Sequence, residues 1–400
     1  PVSFHMPGHK YGRFPYKGKL PSFASYDITE IPGADNIQKA DGIIGQSLDM
    51  ISEAYCSKRT FFLTNGTSGG IHAVMKYFSK KGGTVLVSRD CHSSVVNGAI
   101  LFNVPLSFIP VDYESGIPKP VTLNCVRSSV EGCVDCCGVL ITSPSYYGIV
   151  ASIKEISSYL KTKGILLAVD EAHGAHFAFS GLHELSGISN GADIVCHSLH
   201  KTLPVYNQGS ILHVNGSSVD QDEIGSIIRM LGTSSPSYPI LVSMEKAVSY
   251  YRENGRKLYG RLAVSLGRLR RNLMKKGFAC LPNDDFSRLV IDVFSKNADG
   301  CKVYEGLCNE GIFPEACDRR YLTFITTPSN NERDFRRLER KIVSICSDPA
   351  MVIHGSVSDT EWIIPEKAME IHEALAFERQ WVPMDRAAGS ICGTIIIPYP

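Results

Sequence analysis

The sequence has no apolar run approaching the ~18–20 residues of a membrane-spanning helix. It has no surplus of charge either: 41 basic against 40 acidic residues leave a formal net charge of +1, so no field favours nucleic acid or an anionic membrane. No internal repeat or low-complexity tract is visible, which argues against solenoids and linker-dominated chains. The first residues, PVSFHMPGHK, lack the basic start and apolar core of a signal peptide, and a cytoplasmic protein is the expectation. Cysteine is not scarce, but its 13 residues are odd in number and scattered along a long chain, unlike a disulfide scaffold. The densest group, Cys125, Cys133, Cys136 and Cys137, lacks the second pair or nearby histidines of a zinc site. Reduced, mostly packed thiols and no metal are expected.

What is present is an ordinary globular composition, 44% apolar and 20% charged, spread over 400 residues. That length fits a large domain plus one or two smaller ones. From about residue 60, short apolar runs alternate with amphipathic helical stretches. Strands are expected at 61–64, 84–87, 139–142, 165–169, 193–196 and 210–214. Of these, Ile165-Leu166-Leu167-Ala168-Val169 is almost wholly apolar, as in a buried parallel strand. This pattern predicts an α/β large domain, with a mainly parallel sheet covered by helices on both faces. Residues 241–277 read as a long helix or a helix pair with Leu258, Leu262, Leu266, Leu269 and Leu273 on one face. Its basic residues are expected on a solvated face, since the chain as a whole is balanced. Strands near 288–293 and 321–326 then predict a smaller α+β domain, and a helix is expected around Ile371 to Trp381. The expected division is an N-terminal segment 1–60, a large domain 61–255, a small domain 256–348 and a C-terminal piece 349–400.

Several polar residues fall just after apolar strands, where ligands bind in open α/β sheets. The turn Gly66-Thr67-Ser68-Gly69-Gly70 opens a helix, and its small residues and free N–H groups suit a phosphate. A Gly/Ser turn without a ligand is equally common. His92 follows a second strand and can stack on a planar ring, or serve as ordinary hydrogen-bonded structure. Asp170 ends the most apolar strand, where a carboxylate needs a positive partner such as a protonated pyridine nitrogen; helix capping is the ordinary alternative. Lys201 sits in Ser198-Leu199-His200-Lys201-Thr202, just past a buried strand, where desolvation makes an amine nucleophilic toward an aldehyde. Ser198 and His200 are placed to hold a phosphate.

The order of phosphate turn, histidine, aspartate and lysine is similar to that of a fold-type I pyridoxal 5′-phosphate (PLP) enzyme. More specifically, the chain resembles the Orn/Lys/Arg decarboxylase family of bacterial basic amino acid decarboxylases. The resemblance rests on Phe4-His5-Met6-Pro7-Gly8-His9-Lys10, Asp27-Ile28-Thr29-Glu30, Thr64-Asn65-Gly66-Thr67-Ser68, Thr142-Ser143-Pro144-Ser145-Tyr146-Tyr147-Gly148, Asp170-Glu171-Ala172-His173-Gly174, Ser198-Leu199-His200-Lys201-Thr202 and Thr233-Ser234-Ser235-Pro236-Ser237-Tyr238. It implies the PLP-dependent transferase fold (fold type I, aspartate aminotransferase-like), without the N-terminal wing domain of the large inducible enzymes and with an incomplete C-terminal domain.

The resemblance also implies roles. Lys201 forms a Schiff base with PLP, Asp170 holds the pyridine nitrogen protonated, His173 lies near the phenolic oxygen and His92 stacks on the ring. Thr67, Ser68 and Gly69, together with Ser198 and His200, bind the phosphate. Ser234 and Ser235 reach the phosphate of a neighbouring subunit, in a homodimer or a higher homo-oligomer. The implied reaction is α-decarboxylation of lysine, arginine or ornithine to a polyamine-type amine, with His200 or Lys201 returning the proton. Ser152, where many relatives carry an acid, and the bare Gly69-Gly70 pair depart from the family pattern. Asp27, Glu30, Asp35, Glu315 and Asp318 are the candidate acids for the substrate's distal cation. An aminotransferase or lyase reaction would instead want an arginine for the α-carboxylate, for which Arg319 and Arg320 are the candidates. A homologue without catalysis is the other alternative.

Overall fold

The computed structural model describes Met6 and residues 22–353, 368–378 and 380–391. The 4–10 match therefore lies outside the described residues, Met6 excepted. Strands β1 (Arg59–Leu63), β2 (Thr84–Ser88), β3 (Leu106–Ile109), β4 (Tyr113–Glu114) and β5 (Ile117–Pro118) come first. Next are β6 (Cys136–Thr142), β7 (Leu166–Asp170), β8 (Ile194–Ser198) and β9 (Ser210–Val214). Seven of these form one sheet in the order β1-β9-β8-β7-β6-β2-β3, while β4 and β5 make a separate hairpin. Strands β3, β2, β6, β7 and β8 pair in parallel, and β9 runs antiparallel to both its neighbours. The connection from β8 to β9 is too short for a parallel crossover, so the chain returns antiparallel. The expected mainly parallel sheet is present.

Helices α1 (Ile43–Tyr55), α2 (Gly66–Ser79), α3 (Ser93–Phe102), α4 (Leu123–Glu131) and α5 (Ile153–Thr162) precede two short ones, α6 (Phe177–Ser180) and α7 (Leu199–Thr202). Then come α8 (Gln221–Leu231) and α9 (Tyr238–Lys275). Side chains alternate across each strand, so the sheet has an apolar surface on both faces. Val85, Val87, Leu140, Ala168 and Ile194 join α2, α3 and α8 in one core. Leu86, Val139, Ile141, Val169 and Val195 join α1, α4, α5 and α9 in the other. Packing is close enough that a Cβ at Gly138 would come within 2.7 Å of the Phe78 ring.

Helix α9 is one continuous helix of 38 residues, about 57 Å long, and not a pair. Its first half packs against α1 and α6, while Leu262, Leu266, Leu269 and Leu273 are buried toward a second, antiparallel sheet. That sheet has the order β10 (Ala279–Cys280), β11 (Arg288–Asp292), β13 (Tyr321–Ile325), β12 (Ala316–Cys317). Helices α10 (Gly300–Asn309) and α11 (Glu332–Cys346) complete the α+β unit. The expected boundary at 255/256 falls within α9. Arg268 of α9 and Lys276, which follows its last residue, pair with Glu332 and Glu339 of α11 at 3.2 and 2.7 Å. Arg270 instead turns inward, donating to the carbonyls of Phe286 and Arg288 at 3.0 and 2.7 Å, where the chain enters β11. In the 371–381 region the described helix is α12 (Ile371–Ala374).

Among the described residues every cysteine is a free thiol. No described helix is long and apolar enough to cross a membrane.

Candidate active site

Parallel strands deliver their carboxyl ends to one edge of the sheet, and the polar residues just beyond them converge there. After β1 the chain turns through Gly66, whose φ of +67° favours glycine, into the first turn of α2 with Thr67 and Ser68. After β2, His92 caps α3, its Nδ1 accepting from the Ser94 backbone N–H at 3.1 Å. Asp170 is the last residue of β7. Ser198 ends β8, and the short helix α7 beyond it carries His200 and Lys201.

These residues line one cavity of about 590 Å³, with Thr67, Ser68, His92, Asp170, His173, Ser198, His200 and Lys201 on its wall. Thr67 and Ser198 are in hydroxyl–hydroxyl contact, and Thr67 Oγ1 lies 3.3 Å from Ser210 Oγ, so the α2 N-terminus, β8 and β9 are stitched together at this end. His200 Nδ1 donates to the carbonyl of Gly209 at 3.1 Å. Lys201 Nζ is 3.0 Å from His173 Nε2.

Of the residues expected to hold the cofactor, Gly69, Ser234 and Ser235 lie outside the cavity wall. Gly69 lies in the first turn of α2, and Ser234 and Ser235 are exposed in the loop before α9. Ser152 sits at the start of α5, also off the wall. Arg319 and Arg320 are engaged elsewhere, with Asp299 at 3.4 Å and Asp292 at 2.9 Å.

Electrostatics in the cavity stem from burial. Asp170 is 4% exposed, and its desolvation pushes the carboxyl above its usual range, against the pull of Lys201 and His92. Burial pushes the Lys201 amine down; Asp170 and Glu315 oppose this, and Arg288 adds to it. Burial likewise lowers His92, with Asp170 opposing and Lys201 assisting. A lysine amine pushed down by burial, beside a carboxylate pushed up by it, suits capture of a carbonyl and binding of a cationic ring nitrogen.

Residue-by-residue reading of the sequence misses three contributors. Tyr146 lines the cavity, edge-on to His173, and donates to Glu315 at 3.0 Å. Arg288, the first residue of β11, is 1% exposed and donates from Nη2 to His173 Nδ1 at 3.1 Å. His176, two residues beyond Gly174, contacts Asp285 Oδ1 at 3.1 Å and stacks on Tyr259. Tyr146 stands inside a recognised motif that assigns it no role. Arg288 heads an otherwise apolar strand, a weak signal, since only packing reveals that its charge is buried.

Asp285 ties this second layer together. Burial raises its carboxyl, but His176, Arg288 and the Ser287 hydroxyl outweigh that and hold it at about 2. A depressed carboxylate contributes stability above its unfolded value near 3.8, and that contribution fades as pH falls toward 2. Asp285→Asn is expected to cost about 2 kcal/mol or more in urea unfolding at pH 7. The difference from wild type should narrow below about pH 4; an equal cost at all pH values would refute the charged role.

The family model "Orn/Lys/Arg decarboxylase, major domain" matches residues 1–297. An uncharacterised Bacillus subtilis protein, YaaO, is 30% identical over 425 residues, covering 100% of this chain and 86% of that protein. An arginine decarboxylase of Bacillus subtilis is also 30% identical, over 428 residues, with the same coverage. Among solved structures, the lysine decarboxylase LdcF of Francisella novicida superposes with a TM-score of 0.75 at 19% identity, over 87% of this chain; this chain spans 58% of that one. The fold is thus the fold-type I arrangement that the sequence pattern predicts. With a family match over residues 1–297 and the ordered site residues in one cavity, this chain belongs to the Orn/Lys/Arg decarboxylase family.

Proposed function

We propose that this chain is a pyridoxal 5′-phosphate-dependent decarboxylase that removes the α-carboxylate of a basic amino acid: arginine, lysine or ornithine. The observation that carries the reading is the convergence of Lys201, Asp170, His92 and the α2 N-terminus on one cavity wall. The residues present fit the cofactor. Asp170 is a buried carboxylate raised by desolvation, which a protonated ring nitrogen would relieve. The free N–H groups of the α2 N-terminus and the Ser68 and Ser198 hydroxyls offer donors to a phosphate, with His200 beside them. Bound there, PLP supplies an electron sink for the charge left at Cα when CO2 departs.

The chain's own residues do the rest. Lys201 Nζ would be the amine that holds the cofactor until substrate arrives. Asp170 would hold a ring nitrogen protonated, and His92 and His173 would hold the ring itself, His92 by stacking. Lys201 Nζ or His200 returns a proton to Cα. Burial of Asp170 strengthens the electrostatic contacts it makes. Ser234 and Ser235, exposed within one copy, are assigned to a second subunit's phosphate in a homodimer or larger assembly. Production of a polyamine-type amine in the cytoplasm completes the reading.

For the substrate's distal cation, Glu315 is the acid that the surroundings favour. Asp35 accepts the backbone N–H groups of Asn36, Gly42 and Ile44, and Asp318 those of Arg320 and Tyr321. Glu30 accepts from Thr29 at 2.5 Å. Glu315 is exposed, meets the cavity-lining Tyr146, and is close enough to influence Lys201. Glu315→Gln is expected to raise KM for the preferred amino acid about 10- to 100-fold, as loss of one charged hydrogen bond implies, with kcat largely retained. An unchanged KM would remove Glu315 from the substrate site.

The reaction itself is tested by incubating PLP-loaded protein with arginine, lysine and ornithine separately. Release of CO2 together with the matching amine is expected for at least one. Formation of a keto acid without CO2 would replace this reading by transamination.

A further inference from the structure

Arg288 comes from the second sheet, yet its guanidinium reaches the histidine that faces the site lysine. Arginine has only donors and keeps its proton at any pH a protein survives. The contact from Nη2 to His173 Nδ1 at 3.1 Å therefore requires Nδ1 to be an acceptor without a proton. A neutral imidazole must then carry its proton on Nε2. Nε2 lies 3.0 Å from Lys201 Nζ, so this N–H donates to the lysine, and the lysine nitrogen must offer a lone pair. With the opposite tautomer, two N–H groups would face each other at the arginine.

We infer that Arg288 is a positioning residue that fixes His173 as the Nε2–H tautomer and thereby holds Lys201 as the free amine, ready to capture a carbonyl. The inference rests on the proposed role of Lys201 as cofactor anchor. It explains a costly feature: Arg288 is 1% exposed, and its Nε and Nη1 have no partner among the described residues. A buried guanidinium with so few acceptors is not a stabilising choice.

The charges facing these groups agree in direction. Around His173 stand Lys201, Arg288, His92 and His176, and with burial they keep the imidazole well below its usual range, hence neutral. Around Lys201 stand Asp170, Glu315, Arg288 and His92; the two acids favour the ammonium, while burial and Arg288 oppose it, and the amine is pushed down from its usual range.

Two measurements on the full chain stripped of cofactor test this. In 15N-histidine-labelled protein, the His173 signal, assigned by its loss in His173→Asn, should show a protonated Nε2 and a bare Nδ1. Reductive methylation across pH, read at the Lys201 peptide by mass spectrometry, should give a midpoint that rises by about one unit in Arg288→Met. At any pH below the wild-type midpoint that is about tenfold slower labelling, and Arg288→Lys, which keeps the charge and the donor, should restore it. A protonated Nδ1 in the wild type, or an unmoved midpoint in folded Arg288→Met, would overturn the inference. If Arg288→Met does not fold, the wild-type spectrum decides alone. Borohydride trapping of PLP on Lys201 is a separate readout, so loss of the anchor role and loss of the tautomer lock are distinguishable.

Discussion

Lys201→Ala is expected to abolish the borohydride-reducible adduct between this chain and PLP, and to lower decarboxylation by at least about 10³-fold. Among the described residues Lys201 is the lysine on the cavity wall, so no neighbouring amine can take its place there. Its position is set by α7, the short helix that begins as soon as β8 ends, which turns the side chain toward His173. Burial that pushes the amine down makes it reactive but is a cost to the fold. The alanine variant should therefore be as stable as wild type, or more so, as is common where function is traded against stability. Reduction with borohydride, digestion and mass spectrometry locate the adduct. An adduct persisting on another lysine in Lys201→Ala would end the assignment. A variant that loses the adduct because it has unfolded would show itself in circular dichroism.

The sheet and the lysine are both legible in the sequence for a common reason. Fully buried parallel strands such as β7 and β8 must be apolar along their length, and the residues just beyond their carboxyl ends lie where ligands bind. Asp170, Ser198 and Lys201 announce themselves by standing at the ends of such runs. The small strand β3 and the hairpin β4–β5 give no such signal. Phe108 is half-buried and Ser107 exposed in β3, and the two-residue strands are too brief to carry a period. Contacts between distant segments are equally out of reach. Arg288 meets His173, and Asp285 meets His176, only because α9 carries the chain to a second sheet that returns beside the first. Local pattern places residues on elements, while the meeting of elements is a tertiary fact. The same limit applies to α9, where leucine spacing indicates helix but does not decide between one helix and two.

Asp170→Asn tests the other half of the site and is expected to lower kcat by about 10³-fold, or roughly 4 kcal/mol, with KM changed far less. Asparagine preserves size and can still accept the Ala172 backbone N–H that Asp170 accepts at 3.1 Å, so the turn after β7 should survive. Asparagine lacks the negative charge that holds a ring nitrogen protonated in a desolvated site. That charge matters most while CO2 leaves, when electron density from Cα must be accommodated, and less while substrate merely binds. The loss should therefore appear in kcat, and PLP should remain attached through Lys201 with an altered absorbance. The ordinary alternative for Asp170, a carboxylate whose task is to cap the next turn, predicts a different pattern: lower stability and an unaltered kcat in whatever protein stays folded. Measuring kcat, KM and the unfolding midpoint of the one variant separates the two, and a kcat within about threefold of wild type would return Asp170 to the fold and remove it from the chemistry.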